Sequence, residues 1–258
     1  MGNSLSAREE RTVATLYKDT EVAETYIQKR FSYSWSRLLH RKQVTEVNRV
    51  LADLQLGDVL ELAPGPARVA TQLRGVCRGL MLDQSEEMLA VAKRRLEAAG
   101  LTKVWELRSG NAFALDQLGR QFDFLYTFRF LRHFQEDERA RLYREISSCL
   151  RPKGVFMFDV VNEVVKSKID TRQPQRLEGE LNVYDATYTP KKFCREMQAY
   201  GFSVVRFVPV LKHFTVQSWM SYRLDRHLGV ISDVLVSLLE VIPAAQPLEW
   251  IALCQKMN

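Results

Sequence analysis

Cysteine and histidine are both scarce in this chain. Only 4 Cys and 4 His occur among 258 residues, and they form neither a CxxC pair nor a Cys/His cluster. Disulfide frameworks and zinc sites are built from such spacings. We therefore expect no metal site, and we expect the thiols to be reduced, as in a cytoplasmic protein.

Long apolar runs are also missing. A membrane-spanning helix needs about 20 consecutive apolar residues, whereas the best candidate, residues 230–242, is shorter and carries Asp233 and Glu240. The N-terminal residues contain no apolar core of the kind found in a signal peptide. The sequence thus predicts neither a membrane span nor secretion. The opening MGNSLS fits the N-myristoylation pattern at Gly2, which leaves lipidation open.

The chain has no strong excess of charge of either sign. Its 37 Lys and Arg against 31 Asp and Glu give a formal net charge of +6. An excess of this size permits an anionic partner but does not require one. Many basic residues are scattered singly over predicted helices, as on an ordinary solvated surface, so nucleic acid is not the expected partner.

Strand and helix patterns alternate through the middle of the chain. Residues 1–56 are helical and polar-rich, residues 57–160 alternate, and residues 161–258 are less regular, with no long linker between them. We therefore predict one domain over residues 1–258. Continuous apolar strands separated by helices indicate a parallel sheet covered on both faces. Such strands are predicted at 59–62, 79–82, 104–107, 122–127 and 155–159.

The final hundred residues predict a second group of elements. Thr189 begins a helix that ends near Tyr200, and an apolar helix at 231–242 has its hydrophobic residues at helical spacing. Strands are predicted at 202–211, 214–222 and 249–255.

A sharp turn follows the first strand. After an acid, small residues occupy every second position: Glu61, Ala63, Gly65 and Ala67. A phosphate cradle needs backbone N–H groups aimed at the anion, but Pro64 and Pro66 have none. No Lys-Ser/Thr pair follows, which excludes the phosphate loop of an NTPase. The turn therefore suits a nucleoside ligand without phosphates, with a helix beginning near Pro66.

This turn resembles the acidic-x-Gly-x-Gly-x-Gly motif of class I S-adenosylmethionine-dependent methyltransferases, with alanine at positions 63 and 67 in place of glycine. The resemblance covers about residues 57–160 and the final strand hairpin. It implies an α/β, Rossmann-like, doubly wound fold with a mostly parallel seven-stranded sheet and an antiparallel C-terminal strand. Residues 1–56 would form a helical lid, 57–160 the cofactor-binding core, and 161–258 the acceptor side with a small cap.

The resemblance also implies S-adenosylmethionine as cofactor and a role for each matching residue. Asp83 would accept both ribose hydroxyls, and Asn111 would hydrogen-bond the adenine amino group. Capping the next helix is the alternative for Asp83, and a turn role is the alternative for Asn111. The implied cofactor-binding residues are Glu61, Ala63, Pro64, Gly65, Ala67, Asp83, Gln84, Met88, Asn111, Ala112, Tyr126 and Thr127, with Tyr17 and Tyr26 on the lid.

Three residues are candidates for catalysis: Arg129, His133 and Asp159. Methyl transfer needs mainly positioning, and a base is needed only where the nucleophile must lose a proton. His133 has a side-chain pKa in the right range for a base, although helix packing is its alternative role. Asp159 ends the fifth strand near the expected acceptor.

The acceptor is predicted to be a small, hydrophobic, aromatic or lipid-like molecule with an O, N or S nucleophile. No Asn/Asp-Pro-Pro-Tyr follows the fourth strand and no Pro-Cys pair occurs, which disfavours methylation of bases in nucleic acids. The region after residue 160 is rich in apolar and aromatic residues, among them Tyr184, Phe207, Phe214 and Trp219. They favour an acceptor pocket, or else core packing or a homodimer contact. Two alternatives stay open: an RNA methyltransferase, from the net charge, and a non-catalytic binding protein, from the two alanines.

Overall fold

The computed structural model describes Thr25, Gln28 and residues 30–54, 57–172, 184–244 and 246–258. Within these residues, eight strands form one sheet: β1 Asp58–Leu62, β2 Arg78–Asp83, β3 Trp105–Ser109, β4 Phe122–Thr127, β5 Leu150–Asn162, β6 Thr187–Tyr188, β7 Phe202–Val210 and β8 Glu249–Lys256. The described α-helices are α1 Ser34–Leu54, α2 Glu86–Ala98, α3 Glu136–Cys149, α4 Glu163–Arg172, α5 Pro190–Ala199 and α6 Phe214–Val241.

The sheet has the strand order β3-β2-β1-β4-β5-β8-β7, and the short β6 pairs with β5 beside this path. Only β8 is antiparallel to its neighbours, β5 and β7, while the other pairings are parallel. This arrangement confirms the predicted doubly wound, mostly parallel sheet with an antiparallel C-terminal strand. The two-residue β6 was not predicted, because it is too short to show a hydrophobic pattern.

Helices cover both faces of the sheet, which is why the central strands are apolar at consecutive positions. On one face, α3 and α5 bury Tyr143 and Phe193 against the strands. On the other face, α1 and α2 bury Val47 and Leu96. The described part of the predicted N-terminal lid is thus a packed layer of the core.

The helix caps agree with the sequence. The Ser85 hydroxyl accepts a hydrogen bond from the Met88 N–H at the start of α2, at 3.0 Å. The Thr189 hydroxyl accepts one from the Lys192 N–H at the start of α5, at 3.3 Å. These bonds satisfy N–H groups that the first turn of a helix leaves without partners.

Two predicted elements are wrong. The helix expected after the Pro66 turn is only a 3₁₀ turn at Ala70–Gln72, because Ala67 has a left-handed backbone that interrupts a helix at its start. The strand expected at 214–222 is the first part of α6. Its aromatic residues favour a strand, but Gln217 and Ser221 are one helical turn apart and are both buried on one side of the helix.

Helix α6 is a helical hairpin. Leu228 has non-helical φ and ψ of −135° and 44°, and beyond it the chain runs back along the first segment. The Gln217 amide donates to the Val236 carbonyl oxygen at 3.2 Å and to Glu240 at 3.0 Å, contacts that a straight helix could not make. None of the described helices is long and apolar enough to cross a membrane.

Candidate active site

The strand order reverses between β1 and β4, so the connections that follow these strands diverge to opposite faces of the sheet. In open α/β sheets this point leaves a crevice at the carboxyl ends of the strands, where ligands bind. Glu61 and Ala63 lie at the end of β1, and Tyr126 and Thr127 lie at the end of β4. The structure therefore brings together residues far apart in the sequence.

The loop after β1 has a left-handed backbone at every second residue. The φ angles of Ala63, Gly65 and Ala67 are +53°, +55° and +53°. These are the three positions of the glycine motif, so the alanines keep the loop shape that glycine adopts at lower energy. The loop is fixed to β2, because the Ala63 N–H donates to the Leu82 carbonyl oxygen at 2.8 Å. Pro64 is buried beside it.

Asp83 ends β2 beside this loop. Its carboxylate accepts hydrogen bonds from the Gly65 N–H at 2.9 Å and from the Ser85 N–H at 3.0 Å. Burial raises the pKa of Asp83, and these backbone donors oppose the rise. Gln84 is exposed, whereas Met88 is buried, and its sulfur lies 3.9 Å from the place where a Cβ on Gly65 would stand. Gly65, Asp83 and Met88 therefore form one edge of the crevice.

Glu61 is a buried acid in the centre of the sheet, opposite Tyr126 in the β1–β4 register. Burial raises its pKa from 4.5 to about 8; the neighbouring Asp83 adds to the rise, while Tyr126 and Arg68 oppose it. One Glu61 oxygen, Oε2, and the Tyr126 hydroxyl are buried without a hydrogen-bond partner. Burying an oxygen without a hydrogen-bond partner costs free energy. The Glu61 oxygen can therefore still accept a hydrogen bond from a ligand.

After the end of β3, the side-chain Oδ1 of Asn111 accepts a hydrogen bond from the Phe113 N–H at 2.9 Å, which forms a turn. Ala112 lies against the core. Phe113 packs edge-on against Phe134, which also contacts Phe130. Asn111 can hold this turn and also bind a cofactor only if the second lone pair of Oδ1, or the side-chain NH₂ group, contacts the ligand.

Helix α1 reaches this site through His40 and Arg68, a contact that the sequence analysis missed. Arg68 is buried, donates to His40 Nδ1 at 2.8 Å, and lies 4.7 Å from the centre of the Phe31 ring. Burial, followed by the charge of Arg68, lowers the pKa of His40 to about 3. Residues 40 and 68 showed no shared motif that could have revealed the pair. The predicted lid residues Tyr17 and Tyr26 lie outside the described residues.

Behind the end of β5 is a buried group of charges around Arg132. Its guanidinium donates to Asp185 at 2.6 and 2.8 Å, to Glu249 at 2.8 Å and to Asp159 at 3.4 Å. Burial raises the pKa of Glu249, and Arg132 opposes this rise. Asp159 also accepts the Arg129 N–H at 2.6 Å. Both Asp159 oxygens are thus engaged, which favours a positioning role over a role as base.

Arg129 and His133 face this acidic group from the loop after β4. Arg129 has a left-handed φ of +61°, and its side chain makes no hydrogen bond or ion pair within the described structure. The His133 ring bonds the Tyr184 carbonyl oxygen through Nδ1 at 3.1 Å, which requires Nδ1 to carry the proton. Burial lowers the pKa of His133 despite this contact and the nearby Asp185. His133 is therefore neutral at pH 7, with the lone pair on Nε2.

The aromatic residues after residue 160, which favoured an acceptor pocket in the sequence, lie apart from one another in the structure. Phe207 packs into the core of the sheet, Trp219 is 60% exposed on α6, and Tyr184 is exposed beside His133. The apolar residues at 231–242 lie mostly on the outer surface. They do not line the crevice, because α6 presents its polar side chains to α1.

The residues at the crevice suit a nucleoside cofactor that carries a positive charge. The buried Oε2 of Glu61 has no hydrogen-bond donor among the described residues. Asp83 lies at the end of β2, and the left-handed loop brings the Gly65 backbone within hydrogen-bond distance of it. Because Gly65 has no side chain, the backbone there stays open to a ligand. Ligands with phosphates fit poorly, since both prolines of the loop lack an N–H.

Residues 59–154 match the family model described as "Methyltransferase domain". This match covers somewhat more than a third of the chain, from β1 into β5. No curated protein matches the chain significantly in sequence.

Solved structures share the fold. The complex of DhpI with SAH is 20% identical, with a TM-score of 0.58 and 93% of each chain covered. Magnesium protoporphyrin IX methyltransferase (ChlM) from Synechocystis PCC 6803 with bound SAH is 13% identical, with a TM-score of 0.60, covering 92% of this chain and 99% of that one. An O-methyltransferase family 2 protein from Planctomyces limnophilus DSM 3776 in complex with apigenin is 14% identical, with a TM-score of 0.53, covering 78% and 50%.

The family match confirms the predicted methyltransferase domain over residues 59–154, and the solved structures, including the two with bound SAH, share its fold.

We predict that Ala63→Gly stabilises the protein by about 0.5–1 kcal/mol, because glycine adopts the left-handed backbone without the penalty that alanine carries. Urea unfolding measures the change. Ala90→Gly is the control, since Ala90 is exposed in the right-handed α2 and the same substitution there should destabilise by about 1 kcal/mol. Equal destabilisation by both substitutions would contradict the left-handed loop.

We also predict that Glu61 makes stability fall as pH rises. Its folded pKa of about 8 lies above its ordinary value of 4.5, so the folded state holds a proton that the unfolded state has released. The free energy of unfolding should therefore decrease between pH 5 and 8, by up to about 1.4 kcal/mol per pH unit from this group. Urea unfolding at several pH values tests this, with Glu61→Gln expected to reduce the slope.

Glu97→Gln is the control for this titration, because Glu97 is exposed on α2. It should leave the slope of the wild type unchanged. A slope that is the same in all three proteins would show that Glu61 is ionised at neutral pH.

Proposed function

We propose that this protein transfers the methyl group of S-adenosylmethionine to an O, N or S nucleophile of a small hydrophobic molecule. The observation that carries the proposal is the left-handed loop at Ala63, Gly65 and Ala67, which is hydrogen-bonded to Asp83 and lies beside the buried Glu61. This constellation stands at the switch point of a methyltransferase domain.

The cofactor would lie along the carboxyl ends of β1, β2 and β3. We assign the ribose hydroxyls to Asp83, whose two oxygens keep lone pairs beyond those used by Gly65 and Ser85. Met88 and Gln84 would flank the adenine, with Asn111 and Ala112 on its other side. The loop from Ala63 through Pro64 to Ala67 would lie beside the methionine part.

Glu61 would face the charged part of the cofactor, with Tyr126 and Thr127 supporting it from β4. When bound, S-adenosylmethionine supplies an activated sulfonium methyl group and a positive charge. A cation near Glu61 favours the ionised carboxylate, so the carboxyl would release its proton as the site fills. The unpartnered oxygens of Glu61, Tyr126 and Thr127 would then gain partners.

The acceptor would sit above β4 and β5, next to half-buried aromatic rings. Phe113, Phe130 and Phe134 contact one another there and offer an apolar wall. A hydrophobic acceptor agrees with two structural relatives, one in complex with apigenin and one a magnesium protoporphyrin IX methyltransferase. The prediction of a hydrophobic acceptor rests on this aromatic wall, because α6 does not face the crevice.

His133 would act as the base where the acceptor must lose a proton. The Tyr184 carbonyl oxygen fixes the tautomer, so Nε2 carries the free lone pair, and the lowered pKa keeps the ring neutral. These are the two requirements for a general base near pH 7. Nε2 would take the proton from the nucleophile while the acceptor gains the methyl group.

Arg129 would orient the acceptor, since its guanidinium has no partner in the described structure. Asp159 would position Arg129 by holding its backbone N–H in the left-handed conformation. A non-glycine residue kept at such a φ is a common sign of a functional side chain.

We further infer that the enzyme works in the cytoplasm as one domain over residues 1–258. All four cysteines are free thiols, and the buried Cys149 and Cys254 have raised pKa values that make them unreactive. Gly2 of the myristoylation pattern lies outside the described residues. Mass spectrometry of the natural N-terminus tests for the lipid directly.

We predict that S-adenosylmethionine binds the purified protein and that Asp83→Asn weakens the binding at least tenfold, because the amide loses one acceptor oxygen at the ribose. Isothermal titration calorimetry measures both affinities. Asp53→Asn, an exposed change at the end of α1, is the matched control and should bind like the wild type.

If the wild type shows no binding at about 1 mM cofactor, the binding free energy is weaker than about −4 kcal/mol. That result would overturn the proposed function. Unchanged affinity of Asp83→Asn would overturn only the ribose assignment.

We predict that His133→Gln lowers kcat for a hydroxyl acceptor about 100-fold or more and leaves the affinity for S-adenosylmethionine unchanged. Transfer of labelled methyl groups to a panel of aromatic and long-chain alcohols, amines and thiols identifies an acceptor and measures the rate. His227→Gln on the exposed end of the α6 hairpin is the control.

For the wild type, kcat should not depend on pH above about 6.5, because His133 is already neutral there. Full activity of His133→Gln toward the hydroxyl acceptor would show that this ring only packs in the fold.

A further inference from the structure

Helix α6 carries a large apolar surface, which we call the α6 apolar face. Of the fourteen exposed large hydrophobic residues in the described structure, ten lie on this helix and its C-cap: Val216, Trp219, Tyr222, Leu228, Val230, Ile231, Val234, Leu238, Val241 and Ile242. Val230 and Val241 are 81% and 77% exposed. Scattered exposed hydrophobic residues are common, but so many on one element mark an interaction site.

The α6 hairpin buries mostly polar side chains and exposes apolar ones, which is the reverse of an ordinary amphipathic helix. Its buried residues are mostly polar: Gln217, Ser221, Ser232 and Glu240, with Val236 among them. Ser221, Ser232 and the neighbouring Asp233 hydrogen-bond with α1, whereas Gln217 and Glu240 hydrogen-bond to each other across the hairpin. The Ser34 hydroxyl donates to the Ser232 hydroxyl at 2.9 Å, and Arg37 pairs with Asp233 at 3.1 Å.

The polar contacts with α1 fix the orientation of both hairpin segments. The Trp35 N–H donates to the Ser221 hydroxyl at 3.2 Å in the first segment, and Arg37 holds Asp233 in the second. Since both polar sides are bound to α1, the apolar sides of both segments point away from the domain. The apolar face therefore cannot turn inward without breaking these bonds.

The α6 apolar face approaches the size of a stable interface. Its eight aliphatic and two aromatic side chains together expose roughly 700 Å², taking about 100 Å² for a fully exposed aliphatic side chain and about 200 Å² for an aromatic one. The largest apolar patch on an ordinary monomer is about 300–600 Å². Each partner of a standard protein interface contributes about 800 Å².

The spacing in the second segment favours a helix as the partner. Ile231, Val234, Leu238 and Val241 follow one another at intervals of three, four and three residues. This is the spacing of the seam of a coiled coil, in which side chains interlock with those of a facing helix. A second copy of α6 offers the same spacing, and a two-fold axis brings a face against itself.

The charges of the second hairpin segment, residues 229–242, argue against an anionic membrane as its partner. From Gly229 to Ile242 the only charged residues are Asp233 and Glu240, both acidic. Asp233 is paired with Arg37, and Glu240 is buried, accepting from Gln217. Helices that lie on anionic membranes carry Lys and Arg along the polar face, and this segment has none.

We propose that the α6 apolar face is the interface of a homodimer, in which the 229–242 segments of two copies pack against each other across a two-fold axis. The occupant is a second copy of this chain, and residues 230, 231, 234, 238, 241 and 242 form the seam.

Sedimentation equilibrium of the full chain at tens of micromolar tests the dimer. The wild type is expected at twice the monomer mass, and Val234→Glu and Leu238→Glu are expected as monomers. Both positions are more than half exposed, so the substitutions should not unfold the domain, which circular dichroism checks. Val205→Glu on β7 is the matched control, because Val205 is 58% exposed outside the face and the variant should stay dimeric.

A wild type that is monomeric at these concentrations overturns the proposal. So does a dimer that survives both α6 substitutions, since its interface then lies elsewhere. A monomer that binds vesicles of phosphatidylcholine and phosphatidylserine would show that the face meets a membrane.

Hydrogen exchange of the wild type gives a second measurement that needs no variant. Raising the protein concentration through the dimer transition should slow exchange in residues 229–242 and leave β7 unchanged. Exchange in residues 229–242 that is independent of concentration would overturn the proposal even if the substituted proteins failed to fold.

Discussion

The hydrogen bond from the Gly65 N–H to the Asp83 carboxylate is the contact on which the site depends. It joins the loop after β1 to the end of β2, at 2.9 Å. Pro64 and Pro66 have no N–H, so Gly65 is the sole backbone donor between Ala63 and Ala67. The alternating left-handed residues aim that donor at the neighbouring strand. One carboxylate therefore shapes the loop and is also the group that we propose binds the ribose.

Two acids near the crevice, Asp159 and Glu61, differ in how the protein compensates their charge. Asp159 is surrounded by donors from Arg129 and Arg132, so its charge is compensated inside the protein. Glu61 has a raised pKa of about 8 and a buried oxygen without a partner. An uncompensated acid in the middle of a sheet costs stability. The free oxygen can accept a hydrogen bond from a bound ligand, which is the role that we propose for Glu61.

The sequence predicts the parallel half of this fold well, because its central strands β1, β2 and β4 are buried on both faces. β1, β2 and β4 are short apolar runs whose ends carry the polar residues of the site. Contacts between distant segments could not be predicted. Arg68 and His40 are 28 residues apart and follow no motif, and the Arg132 cluster draws on three separate segments. Such pairs depend on tertiary packing, which local patterns do not record.

The errors at α6 show why periodicity alone does not give the buried face of a helix. The apolar spacing of residues 231–242 left open an acceptor pocket, core packing and a dimer contact, whereas in the structure Ser232 and Glu240 are buried and Val234 and Leu238 are exposed. The decisive residues lie on α1, where Ser34 and Arg37 offer hydrogen bonds only to a polar surface. Helix α1 also contacts Arg68, which directly follows the loop after β1, through His40. One helix thus links this loop to the hairpin, and its polar residues leave the apolar side of α6 facing away from the domain.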